Sequence, residues 1–434
     1  MDYITKYSIN QYLFPIFSLK LLTKLSIYLC TFLPNPKRAV CFNAIKRKIP
    51  TKRLRRGMKK NSFSCDHVFL SLIFTLILAV GTTVLLAPPK SFSERENRRL
   101  QSFPIFSASA LTSGSFAHQL SSFYSDQLPF RTQLGNLYAL SELSLGKSEC
   151  NGVAVCKDNT LVQLPQKHSQ GSEILKGNLL AIEELEQKMR DKAVFLFTPS
   201  SFDAFKEQIP ALLRGIDDSV LAELECELSD ELLSKIHRSE KPYEYYYRTD
   251  HHWTTQGAYT AYALLSDSLG YVAQDESFFE KEVVSESFFG TSLSKSALPE
   301  GMFEPDTVTL YRYGGDGKVC VDNGDALFGL YDFSALNGYD KYRVFLGGNY
   351  AHISIYTPNE GRENLLLIKD SFANSLIPFL SLHFDVEAID PRYATPSQLQ
   401  KLCESKSFDK ILVLCSSDTV MNEKALGRFL KIIE

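Results

Sequence analysis

Acidic side chains are missing from the first part of this 434-residue chain: Tyr3 to Cys65 holds 14 Lys and Arg and no Asp or Glu. The remainder is correspondingly acidic, with 33 basic against 49 acidic residues over positions 66–434, a net charge of −16. An acidic body excludes a nucleic-acid binder, whose affinity rests on neutralising phosphates, so the basic segment reads instead against a membrane. Charge of either sign is missing between Val68 and Pro89. Cys-x-x-Cys pairs are missing among the nine cysteines, which argues against a structural zinc site, and no metal is expected. Internal repeats and low-complexity segments are missing as well. Beyond the uncharged run, only Cys150 and Cys156 lie close together. A small disulfide and two free, partly buried thiols both fit that spacing.

The uncharged run contains Phe69 to Ala87, 19 predominantly apolar residues, long enough to cross a hydrocarbon core as one helix. Lys52, Arg53, Arg55, Arg56, Lys59 and Lys60 cluster just before it. The positive-inside rule then predicts a cytoplasmic N-terminus and an extracytoplasmic remainder. Ala87 is followed by Pro88-Pro89 with no small-x-small site, so an uncleaved, single-pass anchor in the cell membrane is expected. Residues 1–57 have two readings, an extension from a misplaced start codon or a basic head loosely associated with the membrane. Their apolar segment Tyr12–Leu33 carries Lys20 and Lys24, each unfavourable at a membrane centre. The expected organisation is 1–57 as head or extension, 58–89 as basic flank and anchor, and 90–434 as the external domain.

Composition allows a sizeable core there, with 44% hydrophobic and 22% charged residues overall. The spacing predicts two helices over Leu111–Leu145 broken at Pro129, a short hairpin over 150–165, and amphipathic helices over Glu173–Arg190 and Ser219–His237. Ala193–Phe197 reads as a buried strand. Thr254 is a good N-cap for a helix ended by Gly270. Residues 280–358 alternate in short runs (Thr307–Tyr313, Lys318–Val321, Tyr342–Leu346, His352–Tyr356) and read as an antiparallel β insertion. Strands at 364–369, 384–389 and 409–415 then alternate with helices at 372–381, 396–405 and 421–433. That rhythm predicts a layered α/β sheet whose ligand lies beyond the C-terminal strand ends, where Thr198, Ser371, Asp390 and Ser416 fall.

The chemistry concentrates in Asp250-His251-His252-Trp253 and in Ser371, about 120 residues later. Ser371 follows a strand-like run and opens a helix-like one, a sharp turn that presents a hydroxyl above a sheet edge. An Asp two positions before a His can accept the Nδ1 proton, fix the tautomer and favour the imidazolium that forms on deprotonating serine. His251 is expected to point elsewhere, and Trp253 to pack. Singly, each of these residues is most simply a cap or a packed side chain. A metal reading of Asp250, His251 and His252 lacks further ligands nearby.

The ordered set Ser93-Glu94-Arg95-Glu96-Asn97-Arg98, Asp126-Gln127-Leu128-Pro129-Phe130-Arg131, Asp250-His251-His252-Trp253, Gly347-Gly348-Asn349, Lys369-Asp370-Ser371-Phe372 and Asp390-Pro391-Arg392-Tyr393 resembles the DHHW family of bacterial extracytoplasmic proteins. More distantly, it is similar to SGNH-hydrolase-like proteins that O-acetylate alginate. The resemblance covers roughly 90–434. It implies a circularly permuted SGNH-like three-layer α/β sheet with Asp250, His252 and Ser371 as acid, base and nucleophile. Lys369 departs from the Gly of the relatives' Gly-Asp-Ser. Gly348 and Asn349 are candidates for oxyanion or substrate binding, and Arg392 for binding an anionic sugar. The implied activity is O-acetyl transfer to an extracytoplasmic polysaccharide, without a cofactor and with a polytopic membrane acyltransferase as the source of acetyl groups. Two alternatives are a carbohydrate esterase with the same triad and a non-catalytic scaffold in envelope-polymer assembly.

Overall fold

The computed structural model describes residues 65–96, 98–165, 171–214, 221–324, 326–358 and 360–433. The expected basic head at 1–57 and the flank at 58–64 lie outside the described residues. The described residues fall into two compact units, one from 65–93 and 98–131, the other from 94–96 and 132–433.

The first unit holds helix α1 (Cys65–Leu86), of which His67–Leu86 is long and apolar enough to cross a membrane. Most of its large side chains, Leu72, Phe74 and Leu78 among them, are exposed. Beyond it, Phe92–Ser93 pairs antiparallel with Arg98–Arg99, and short helices span Ala108–Thr112 and Ser115–Asp126. Arg98 forks onto the Asp126 carboxylate at 2.6 and 3.0 Å, and the Gln101 N–H donates to it at 2.8 Å. Burial alone would raise the Asp126 pKa; the Arg98 hydrogen bond and charge overcome it and hold the carboxyl below its usual value. Arg98 and Asp126, one residue from each of two motifs, are thereby tied to each other.

The second unit centres on a seven-stranded sheet between two helical layers and also holds a three-stranded antiparallel sheet of Glu149–Cys150, Val153–Val155 and Leu161–Gln163, where a hairpin is expected. Its strands are β1 (Ala193–Thr198), β4 (Cys320–Asp322), β5 (Leu327–Phe328), β6 (His352–Tyr356), β7 (Glu363–Lys369), β8 (Phe384–Ile389) and β9 (Lys410–Ser416), while β2 (Glu280–Phe288) and β3 (Asp306–Arg312) form a separate antiparallel pair. Across the main sheet the order is β5-β4-β6-β8-β7-β9-β1. The four strands β8, β7, β9 and β1 are parallel, and β6, β4 and β5 extend them antiparallel.

Strand β7 shows why the sheet is covered twice. Leu365 and Leu367 face one core with helices α3 (Glu227–Arg238), α4 (Thr255–Leu269) and α5 (Ala373–Leu380). Leu366 and Ile368 face the other, with α2 (Gly171–Lys188), α6 (Pro396–Ser405), α7 (Ser417–Asn422) and α8 (Lys424–Leu430). Side chains alternate along a strand, so a continuous apolar run demands apolar cover on both faces. All four are fully buried, each burial contributing about 1.5–3 kcal/mol.

Several expectations need correction. The helix expected over Ser219–His237 is a 3₁₀ turn (Leu221–Leu224) followed by α3, because Glu225 adopts φ 43° and Cys226 is extended. The last helix is two, divided where the Glu423 side chain accepts from the Ala425 N–H and starts α8. Tyr342 and its neighbours form a 3₁₀ turn (Lys341–Val344) instead of a strand. Only β2 and β3 of region 280–358 stand apart, since β4, β5 and β6 complete the main sheet. Of the two alternatives for Cys150 and Cys156 the structure has the free thiols, which face different cores, and burial pushes them up to about 11 and about 12.

Candidate active site

The loop from Tyr246 to Trp253 is closed by a bridge between those two residues and by the Tyr247 N–H donating to the His252 carbonyl at 3.2 Å. It is pinned from β3, where the Asp306 carboxylate accepts from the Arg248 N–H, the Thr249 N–H and the Thr249 hydroxyl at 2.6–2.8 Å. Thr254 then caps α4, its hydroxyl accepting from the Gly257 N–H at 3.2 Å. The expected cap and helix thus hold, and they set the direction in which the loop leaves.

Asp250 is 1% exposed, and both carboxylate oxygens are engaged. Oδ1 accepts from the His252 N–H at 2.9 Å and lies 2.6 Å from His252 Nδ1. Oδ2 accepts from the Thr291 N–H at 2.7 Å and from its hydroxyl at 2.8 Å. Burial by itself would raise this carboxyl, but the neighbouring histidines and these donors drive it far below the carboxylate range. Gly290 permits the approach: a Cβ there would sit 2.2 Å from the Asp250 Cβ.

Ser371 lies on the turn between β7 and α5, and its Oγ is 2.8 Å from His252 Nε2. A carboxylate on Nδ1 makes that nitrogen the protonated one, so Nε2 accepts from the serine hydroxyl. The Asp370 carboxylate shapes the turn, accepting from the Phe372 and Ser416 N–H groups and the Thr419 hydroxyl at 2.7–3.0 Å. Trp253 is fully buried and ties the histidine loop to the serine turn, donating its indole N–H to the Phe372 carbonyl and the Ser375 hydroxyl at 2.9 Å. The Ser371 N–H makes no hydrogen bond among the described residues.

Residues the sequence reading passed over complete the site. Tyr342 stacks on His252 with centroids 4.0 Å apart and an 8° interplanar angle, and its hydroxyl donates to the Ser371 carbonyl at 3.1 Å. Nothing in the spacing flags it, because the 3₁₀ turn that carries it is positioned by tertiary contacts. Thr291 and Asn374 were legible in principle, the first as a hydroxyl at a helix start after Gly290, the second three positions after Ser371. His251 does not point elsewhere: its ring lies 3.8 Å from that of His252, and its Nδ1 is 2.5 Å from the Thr291 hydroxyl. Neighbours diverge in regular elements, but here the chain bends at each residue from 249 to 252. Asp250, His251 and His252 group closely enough to suggest a metal trio, yet both Asp250 oxygens and both Nδ1 atoms already serve the hydrogen bonds just described.

Lys369 is 1% exposed, and its Nζ donates to the Asn374 Oδ1 at 2.5 Å. The Asn374 amide in turn donates to Asn349 Oδ1 at 3.0 Å and to the Gly348 carbonyl at 3.4 Å. Gly348 and Asn349 thus flank the serine turn through Asn374 and present acceptors to it; among the described residues no hydrogen bond joins either to Ser371. Arg392 is forked onto Asp390 at 2.9 and 2.6 Å, and its charge lowers the Asp370 pKa, opposing burial.

Compared with protein-family models, residues 222–389 match one, described as DHHW protein. That stretch carries the DHHW family pattern. Asp250, His251, His252, Trp253 and Ser371 all lie inside the matched DHHW region. No curated protein matches the chain. Among solved structures, the chain is similar to a DHHW family protein from Eubacterium siraeum (19% identity, TM-score 0.49, covering 65% of this chain and 96% of that one). It is also similar to Bacillus cereus PatB1 with a sulfonyl adduct (16% identity, TM-score 0.50, covering 63% and 98%). A third similar structure is the O-acetyltransferase domain of Pseudomonas putida AlgJ (14% identity, TM-score 0.38, covering 63% and 93%). The PatB1 likeness places the mixed α/β fold with known structures, and identities this low speak to fold alone.

Proposed function

We propose that this chain is a membrane-anchored O-acyltransferase of circularly permuted SGNH-like fold that acetylates an extracytoplasmic polysaccharide through Asp250, His252 and Ser371. The observation that carries the reading is the relay itself, Asp250 Oδ1 to His252 Nδ1 at 2.6 Å and His252 Nε2 to Ser371 Oγ at 2.8 Å. Ser371 Oγ attacks the acyl carbonyl carbon while its proton passes to His252 Nε2. Asp250 balances the imidazolium. The unpaired Ser371 N–H donates to the developing oxyanion, and the leaving group departs with the proton from His252. A sugar hydroxyl then attacks the Ser371 ester, its proton passing to His252 and on to Ser371 Oγ as that bond breaks.

Gly348 and Asn349 are assigned to the substrate side of the turn and not to the oxyanion, because the groups they present there are acceptors held by the Asn374 amide. Arg392, with its fork taken by Asp390, positions the Lys369–Asp370 turn through charge and flanks an anionic sugar. Helix α1 is the anchor, with the basic cluster before it on the cytoplasmic side and the α/β unit outside. A polytopic membrane acyltransferase supplies the acyl group.

The test is intact-mass analysis after treatment with a serine-directed sulfonyl fluoride or 4-nitrophenyl acetate. One adduct mapping to Ser371, absent in Ser371→Ala, is expected. Failure of both reagents to label a folded protein overturns the catalytic reading in favour of a scaffold, and acetate release without transfer to any sugar converts it to an esterase.

A further inference from the structure

His251 sits outside the relay just described, and its hydrogen bonds fix its state. The Thr291 hydroxyl has one proton and lies 2.8 Å from Asp250 Oδ2, a carboxylate oxygen that only accepts. Its proton therefore goes to Asp250, and its oxygen accepts from His251 Nδ1 at 2.5 Å. His251 carries its proton on Nδ1 and leaves Nε2 with a bare lone pair. Burial first, then the neighbouring His252, push its pKa down to about 3, so the ring is neutral. His252 holds the same tautomer, since its Nδ1 faces Asp250 Oδ1. Both rings turn their Nδ1 edge toward one carboxylate, at 2.6 Å for His252 and 3.7 Å for His251, with centroids 3.8 Å apart and planes tilted by 38°. With Nδ1 spent on that side, each ring is left with its Nε2 edge, and the two edges belong to neighbouring rings. His251 is the outer ring, its side chain 32% exposed against 8% for His252. No hydrogen bond engages His251 Nε2 among the described residues.

We propose that His251 and His252 together read a vicinal diol, so that the acceptor is a sugar or polyol with hydroxyls on adjacent carbons. The inference rests on the acyl-transfer reading. One hydroxyl oxygen attacks the acyl carbon of the Ser371 ester, forming the new C–O bond as the bond to Ser371 Oγ breaks. Its proton moves to His252 Nε2 and then to Ser371 Oγ. An attacking hydroxyl has only that one proton, so a second acceptor beside His252 has no partner on the same oxygen. The neighbouring hydroxyl supplies one, donating to His251 Nε2 and fixing which oxygen faces the ester. His251 is a specificity-determining residue here and takes up no proton.

The experiment loads the purified full chain with acetyl from 4-nitrophenyl acetate and offers cis-cyclohexane-1,2-diol or cyclohexanol. The readout is the ratio of the two acetate products within each protein, so that any change in loading common to both alcohols cancels. The wild type should prefer the diol by about tenfold, the worth of one hydrogen bond. His251→Ala should reduce the ratio to the statistical preference for two hydroxyls over one, and His251→Gln, which retains an acceptor oxygen, should restore part of it. An acetyl-Ser371 protein that shows no diol preference, or a preference unchanged in His251→Ala, overturns this inference and leaves acyl transfer standing. Absence of acetyl-Ser371 overturns both. Should His251→Ala fail to fold, the wild-type ratio and His251→Gln decide the matter.

Discussion

Replacing Lys369 by Met tests what a buried ammonium does beside a nucleophilic serine. Lys369 is 1% exposed. Burial first lowers its pKa from 10.5 to about 8, with Asp390 opposing and Arg392 reinforcing the shift. The folded value therefore lies below the unfolded one. Between about pH 8 and about pH 10.5 the unfolded chain holds the proton and the native chain does not, so wild-type stability rises with pH across that window. Below it the native state carries the full cost of the buried charge, about 3 kcal/mol for a shift of this size. Methionine has similar length and does not titrate. It also leaves Asn374 Oδ1 without its donor, an offset of about 1–3 kcal/mol that does not follow the titration. The stability of Lys369→Met relative to wild type should thus fall by about 3 kcal/mol as pH rises from about 7 to about 10.5. Urea unfolding of the purified protein across that range measures it, and tyrosine titrations common to both proteins cancel in the difference. A difference that stays flat over the window would show that the fold does not penalise the ammonium, and the argument would be wrong.

Ser371→Ala should leave the unfolding midpoint nearly unchanged and reduce acyl transfer by about three orders of magnitude or more. His252→Ala should do the same and the double variant little more, because the pair acts as a unit; additive losses in 4-nitrophenyl acetate turnover would count against a shared step. Gly290→Ala places a Cβ 2.2 Å from the Asp250 Cβ, so the carboxylate must shift. Turnover should fall at least tenfold, and unaltered kinetics would mean that the Asp250 position does not matter. A reporter fused after Lys90 should read as extracytoplasmic and one fused before Met58 as cytoplasmic, whereas cytoplasmic signal from both would sink the proposed topology.

The strands and helices of the second unit were largely legible because their signals are local. Asn364 to Lys369 reads as a buried strand from its unbroken apolar run, and the cap at Thr254 reads from a hydroxyl residue before an apolar helix. The breaks inside the last helix and before α3 were not legible, since each hangs on the backbone of one Glu. The run from Tyr342 to Leu346 reads as strand because its aromatic and β-branched residues suit a pleated surface; Tyr342, Val344 and Phe345 are buried instead around a 3₁₀ turn, in a core shared with Tyr247 and Phe288.

By itself the sequence determined the apolar helix, the acidic character of the rest, the layered α/β rhythm, and which Asp, His and Ser stand at loop positions. Those properties follow from composition and from periodicities of two and 3.6, which any window of the chain displays. Only the tertiary structure decided that residues 119 positions apart meet at 2.8 Å, that Thr291 closes the second side of Asp250, and that His251 lies against His252. A hydrogen bond is specified to tenths of an ångström, and that precision comes from Trp253, Asp370 and Gly290 holding three segments against one another, which no local pattern encodes.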